Sequence, residues 1–167
     1  TNDMDATVRF YHGVLGMRVV ATIGTDSFRH YFFDLGPENT LAFFEYRDHD
    51  VGTIEKPAGI PPDFPTQFDH LSFNLPDESA LVDLAARLTE HGCGVTEIVD
   101  HQIMKSIYFT DPNGISLEAS YWVTDPTGRP ADYRPAAGLF NDHHPVAAIT
   151  ELVSSGDLDW TPQTKLL

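Results

Sequence analysis

The chain has 167 residues, 41% of them hydrophobic, with 10 basic against 25 acidic side chains and a formal net charge of −15. That balance fits one globular domain rather than a disordered segment, and it disfavours nucleic acid and anionic membranes, which reward clustered Lys and Arg. The single cysteine, Cys93, excludes an internal disulfide, and no apolar run approaches the roughly 20 residues of a membrane span, so a reducing cytoplasm is the expected location.

Residues 3–15 read as a helix that Asp3 can cap, with Met4, Val8, Tyr11 and Leu15 on one stripe and Gly16 as the stop. Three strands are predicted next, over 17–23, 28–35 and 40–46. Residues 47–66 turn charged and then proline-rich and read as a linker. The pattern then restarts. A strand over 67–75 alternates strictly, Asp77 caps a helix over 78–91, and strands follow over 94–99, 105–110 and 115–122. The second half thus reads β-α-β-β-β and the first α-β-β-β, lacking its opening strand. Tyr31-Phe32-Phe33-Asp34 leads through a turn to Phe43-Phe44-Glu45, much as Tyr108-Phe109-Thr110-Asp111 leads to Ser116-Leu117-Glu118. Such a repeat implies two pseudo-symmetric modules, residues 1–46 and 67–122, with a C-terminal arm over 123–167. That arm is expected to pack on the domain or on a partner subunit.

Strand parity sorts the candidate chemistry. His70 shares a polar face with Ser72 and Asn74, and Glu118 shares one with Ser116, Ser120 and Trp122. Glu45 shares its face with Leu41 and Phe43, which suggests an enclosed space. A histidine and a carboxylate converging in a cavity suit a divalent metal, since imidazole donates a lone pair and the carboxylate offsets the charge. The other reading of the same residues, a core histidine and an arginine-paired glutamate, stays open at this point. Asp111-Pro112-Asn113-Gly114 reads as a tight turn that places Glu118. Phe43, Phe109 and Trp122 are candidate apolar pocket walls, and His30, on the face of Phe28 and Phe32, is a candidate pocket residue.

Residues 3–122 resemble the vicinal oxygen chelate superfamily, which includes glyoxalase I, fosfomycin and bleomycin resistance proteins and the extradiol dioxygenases; DMDATVRFYHGVLGM, FDHLSF and IYFTDPNGISLE carry the resemblance. It implies an α+β fold in which paired βαβββ modules form an incomplete barrel around a metal. His70 and Glu118 match ligand positions, and Glu45 matches the extra carboxylate ligand of glyoxalase-like members. Val99-Asp100-His101, Ile107-Tyr108, Asp111-Pro112, Gly114 and Glu118 further follow the signature of type I extradiol ring-cleavage dioxygenases. That resemblance implies Fe(II), with Mn(II), Ni(II) and Zn(II) as alternatives, and His101 and Tyr108 as groups that bond the substrate hydroxyls and assist proton movement. The expected partners are a catechol-type aromatic and O₂, with a second copy of the chain as candidate protein partner. There are two departures. The family's first-strand histidine, the expected third ligand, would precede Thr1, and Asn39 stands where many extradiol enzymes carry an acid–base histidine. The rival expectations are a glyoxalase-like isomerase or lyase, and a metal-free, drug-sequestering binding protein.

Overall fold

A computed structural model describes residues 1–156 and Leu158. The first helix, α1 (Met4–Val8), starts where the Asp3 side chain accepts the Ala6 N–H at 2.9 Å, and it continues as wider π turns over Arg9–Val14. This segment buries Met4, Phe10, Tyr11 and Val14; of the predicted stripe Met4 and Tyr11 are buried but Val8 and Leu15 only partly, because the wider π turns move the buried side onto Phe10 and Val14. Strands β1 (Val19–Gly24), β2 (Phe28–Gly36) and β3 (Asn39–Tyr46) follow and form an antiparallel sheet in that order.

The second half gives β4 (Leu71–Asn74), α2 (Glu78–Glu90), β5 (Val99–Asp100), β6 (Met104–Thr110) and β7 (Ser116–Trp122). Its sheet runs β4-β7-β6-β5, with β4 parallel to β7 and the other pairs antiparallel. Asp77 caps α2 by accepting the Ala80 N–H at 2.9 Å. The helix buries Leu81, Leu84 and Leu88 in the core that also holds Ile107, Phe109, Leu117 and Ala119. Removing Leu81 and Leu88 fully from water contributes about 1.5–3 kcal/mol each.

Two strands are shorter than the pattern predicts. The 67–75 strand is confined to Leu71–Asn74, and ahead of it the Asp69 side chain is tied to Lys56 and the Gly59 N–H. Of 94–99, only Val99 lies in a strand, although Val95 bridges Phe109 and Thr96 exchanges backbone and side-chain bonds with Tyr108.

The two sheets repeat one pairing scheme. Phe32 faces Ala42 as Tyr108 faces Glu118, Phe33 faces Leu41 as Phe109 faces Leu117, and His30 faces Phe44 as Ser106 faces Ser120. The scheme reaches the chain entering each helix: the Thr1 N–H donates to the Phe44 carbonyl as the Leu75 N–H donates to that of Ser120, both at 2.7 Å. The halves meet through the first helical segment, where the Tyr11 hydroxyl donates to Asp111 Oδ2 at 3.0 Å and the Phe10 and Phe109 rings lie 6.3 Å apart.

Thr1–Val123 form one compact unit and Thr124–Leu167 another. In the latter the Tyr133 and Phe140 rings meet edge to face, and α3 (Ala147–Ser155) ends at Gly156, whose φ is 81°. The rest of the predicted arm, residue 157 and residues 159–167, lies outside the described residues. Among the described residues, no helix is long and apolar enough to cross a membrane.

Candidate metal centre

The polar face of the second sheet is where chemistry can happen. β4, β7 and β6 lie side by side, so Ser72, Glu118 and Tyr108 form one row across it and Asn74, Ser120 and Ser106 the next. Opposite this face α2 covers Leu117, Ala119, Ile107 and Phe109.

His70, just before β4, reaches over the face, and its Nε2 lies 3.1 Å from Glu118 Oε2. Its Nδ1 lies 2.6 Å from Asp69 Oδ1. The Glu118 side chain is only 7% exposed. Burial acts to raise its carboxyl, but the hydroxyls of Ser106, Ser72 and Tyr108 and the His70 ring outweigh that and hold it below the ordinary carboxylate range. The Ser106 hydroxyl makes no bond of normal geometry, so it acts there as a facing dipole; its Oγ is the one buried side-chain polar atom without a hydrogen-bond partner among the described residues. Tyr108 stands between the two histidines, its ring 6.0 Å from that of His70 and its hydroxyl 2.9 Å from His101 Nε2. Burial first, and then Glu118, pushes the Tyr108 hydroxyl upwards. The structure therefore brings His70, Glu118, Tyr108 and His101 together, with Trp122 on the same face of β7.

Three other predicted residues lie elsewhere. Glu45 is not the counterpart of Glu118. The shared pairing scheme gives that place to Ala42, and Glu45 lies an odd number of positions further on, so it points to the opposite face. There its carboxylate accepts the Met4 N–H at 3.0 Å and pairs with Arg29, which together lower its pKa against the effect of burial. It supports the start of α1, where a negative charge is favoured. Phe43 and Phe109 belong to the core on the helix-covered faces, away from the Glu118 side: Phe43 packs 4.8 Å from the Tyr11 ring, and Phe109 lies 6.3 Å from that of Phe10. No three His, Cys, Asp or Glu side chains form a metal-holding group among the described residues.

His30 does lie on the face of the first sheet that corresponds to the Glu118 face. It stacks on Phe44 with ring centres 3.6 Å apart and contacts Phe32 at 4.1 Å. Phe28 and Tyr46 flank Phe44 at 5.5 and 5.8 Å. The sequence shows the β2 side of this face, Phe28, His30 and Phe32; what it does not reveal by itself is the register that lays Phe44 and Tyr46 of β3 beside them.

The model of the Glyoxalase/Bleomycin resistance protein/Dioxygenase superfamily matches residues 1–119. The chain belongs to this superfamily. Solved members share its fold. A glyoxylase/bleomycin resistance protein/dioxygenase domain from Frankia sp. EAN1pec is 20% identical with a TM-score of 0.62, over 73% of this chain and 91% of that one. The trypanothione-dependent glyoxalase I of Leishmania major is 19% identical with a TM-score of 0.54, over 71% and 78%. A lactoylglutathione lyase from Agrobacterium tumefaciens is 22% identical with a TM-score of 0.52, over 72% and 87%. At such identities the likeness is one of fold. No curated protein matches the chain.

Proposed function

We propose that this superfamily member is a metal-dependent enzyme that opens a catechol-type aromatic ring beside its hydroxyls, using Fe(II) and O₂. The observation that carries the reading is the 3.1 Å approach of His70 Nε2 to Oε2 of the buried Glu118 on one polar face. Two ligands each about 2.1 Å from one ion, at roughly a right angle, stand about 3 Å apart, so the pair fits a shared cation. The unpartnered Ser106 hydroxyl on the same face also fits a polar occupant.

When bound, the metal supplies Lewis acidity towards two adjacent substrate oxygens and open positions for O₂ chemistry. His70 and Glu118 hold it. Tyr108, whose hydroxyl lies beside Glu118 and His101, donates its hydroxyl hydrogen to a substrate oxygen. His101, exposed and 2.9 Å from the Tyr108 hydroxyl, exchanges protons with solvent and so takes the part that Asn39 cannot perform. The faces bearing Phe44, Phe32 and Trp122 give a planar ring something flat to lie on.

The glyoxalase-like reading requires a second carboxylate facing the metal. With Ala42 at the matching position and Glu45 bonded to Met4 and Arg29, that reading has no such group in the first module. A metal-free aromatic-binding protein is the second reading, and the open aromatic face of the first sheet favours it.

Anaerobic loading with Fe(II), followed by a panel of catechols and air, tests the proposal. The expected result is a yellow ring-opened product from the wild-type chain. Glu118→Gln should lower metal affinity by more than the roughly 10–100-fold that outer residues cost. Silence across the panel from protein with confirmed iron would retire the dioxygenase reading. Aromatic binding that survives chelation unchanged would favour the second.

A further inference from the structure

Residues 47–66 read from composition as a connector, yet part of this segment is built into the fold. The Lys56 carbonyl accepts the Ser116 hydroxyl, and at Gly114 an added Cβ would lie 2.7 Å from the Ile54 carbonyl oxygen and 2.9 Å from Thr53 Cγ2. The Lys56 side chain is only 9% exposed. Lysine is almost never buried to this extent without a partner, and here Nζ donates to Asp69 Oδ2 at 2.6 Å and to the Pro57 carbonyl at 3.0 Å. The Gly59 N–H donates to Asp69 Oδ1 at 2.7 Å, the same oxygen that lies 2.6 Å from His70 Nδ1. The segment thus grips Asp69 at both oxygens, and Asp69 grips the side of His70 turned away from Glu118.

An ionised carboxylate only accepts hydrogen bonds, so Asp69 favours a ring hydrogen on Nδ1 just as Glu118 favours one on Nε2. A cation entering between His70 and Glu118 would displace the hydrogen facing Glu118, while Asp69 keeps the one on Nδ1, which leaves the Nε2 lone pair to ligate. A carboxylate behind a ligating histidine fixes its tautomer and ring orientation.

We propose that Asp69 and Lys56 are positioning residues for the metal centre: Asp69 fixes His70 with Nε2 as its ligating nitrogen, and Lys56 latches Asp69 in place. The inference rests on the metal reading. Neither residue touches the substrate. It also has a signature that plain electrostatics does not share. Removing a cation near a cation-binding site should tighten binding by Coulomb's law, whereas releasing the latch should weaken it.

The test is Zn(II) titration of the full chain against a chromophoric chelator, for the wild type, Lys56→Met and Asp69→Asn. Thermal melts confirm that each is folded, and long-range ¹H–¹⁵N correlations of the zinc-loaded wild type identify the ligating nitrogen. Wild-type His70 should ligate through Nε2 and keep its hydrogen on Nδ1. Asp69→Asn should bind Zn(II) about 10–100-fold more weakly, and Lys56→Met should also bind more weakly despite the lost positive charge. If the wild type binds but Lys56→Met binds equally or more tightly, or His70 ligates through Nδ1, the latch is overturned and the metal reading stands. If the wild type binds no Zn(II), both fall together.

Discussion

Asp111 shows how one side chain can set a whole turn. Its Oδ1 accepts the N–H groups of Asn113 and Ile115, both at 2.8 Å, and its Oδ2 accepts from the Asn113 amide at 2.8 Å and the Tyr11 hydroxyl at 3.0 Å. The carboxylate is 5% exposed, so these four donors replace water. Tyr11 itself is fully buried, and burial first and then Asp111 push its hydroxyl well up, so it remains a donor at every working pH. Tyr11→Phe removes one charge-assisted bond without opening a cavity. The expected cost is about 2 kcal/mol, or a drop of about 4–8 °C in Tm for a chain of this size, measured by calorimetry. A melt unchanged to within a degree would show that the bond contributes nothing.

The turn's last residue joins two elements. Gly114 has a φ of +83°, a conformation L side chains rarely adopt, and it lies against the Ile54 carbonyl oxygen and the side chains of Thr53 and Glu55, so Gly114→Ala meets both backbone strain and a clash. We expect a loss of about 2–4 kcal/mol. Gly59→Ala, at a φ of +69° with no atom within 4 Å of the added Cβ, should cost about 1–2 kcal/mol. Denaturant melts of the pair would separate clash from strain. Helix and strand identity was largely legible in the chain, because Asp3 and Asp77 sit where caps belong and the apolar periods are clear. The register between the modules was not. Matching Tyr31 to Tyr108 by residue type aligned two Phe-containing runs one position out, whereas the ladders pair Phe32 with Ala42 as Tyr108 with Glu118. A one-residue slip exchanges the faces of a strand, and such an error placed Phe43 and Glu45 in a cavity. The hold of Lys56 on Asp69 was hidden for another reason: it joins a loop to a strand entry, and no periodicity encodes such contacts.

Charge governs the molecule as a whole. At neutral pH a net charge of −15 strains the compact state by self-repulsion, and acidification towards the isoelectric point near 4.6 relieves it. Glu118 and Glu45 act the other way. Their carboxyls titrate below the ordinary range in the folded protein, so the stability they contribute is complete above the unfolded value of about 4.3 and is lost as pH falls through the folded one. Tm should therefore hold level or rise from pH 7 to about 5 and fall below about 4. A steady decline beginning at pH 6 would contradict this account. Finally, the mirrored ladders leave latitude for divergence. Ala42 is exposed, and its backbone bonds match those beneath Glu118, so a single codon change there would install an acid without disturbing the scaffold. In the proposed metal centre, such a substitution would add a ligand and shift the ion that the site prefers.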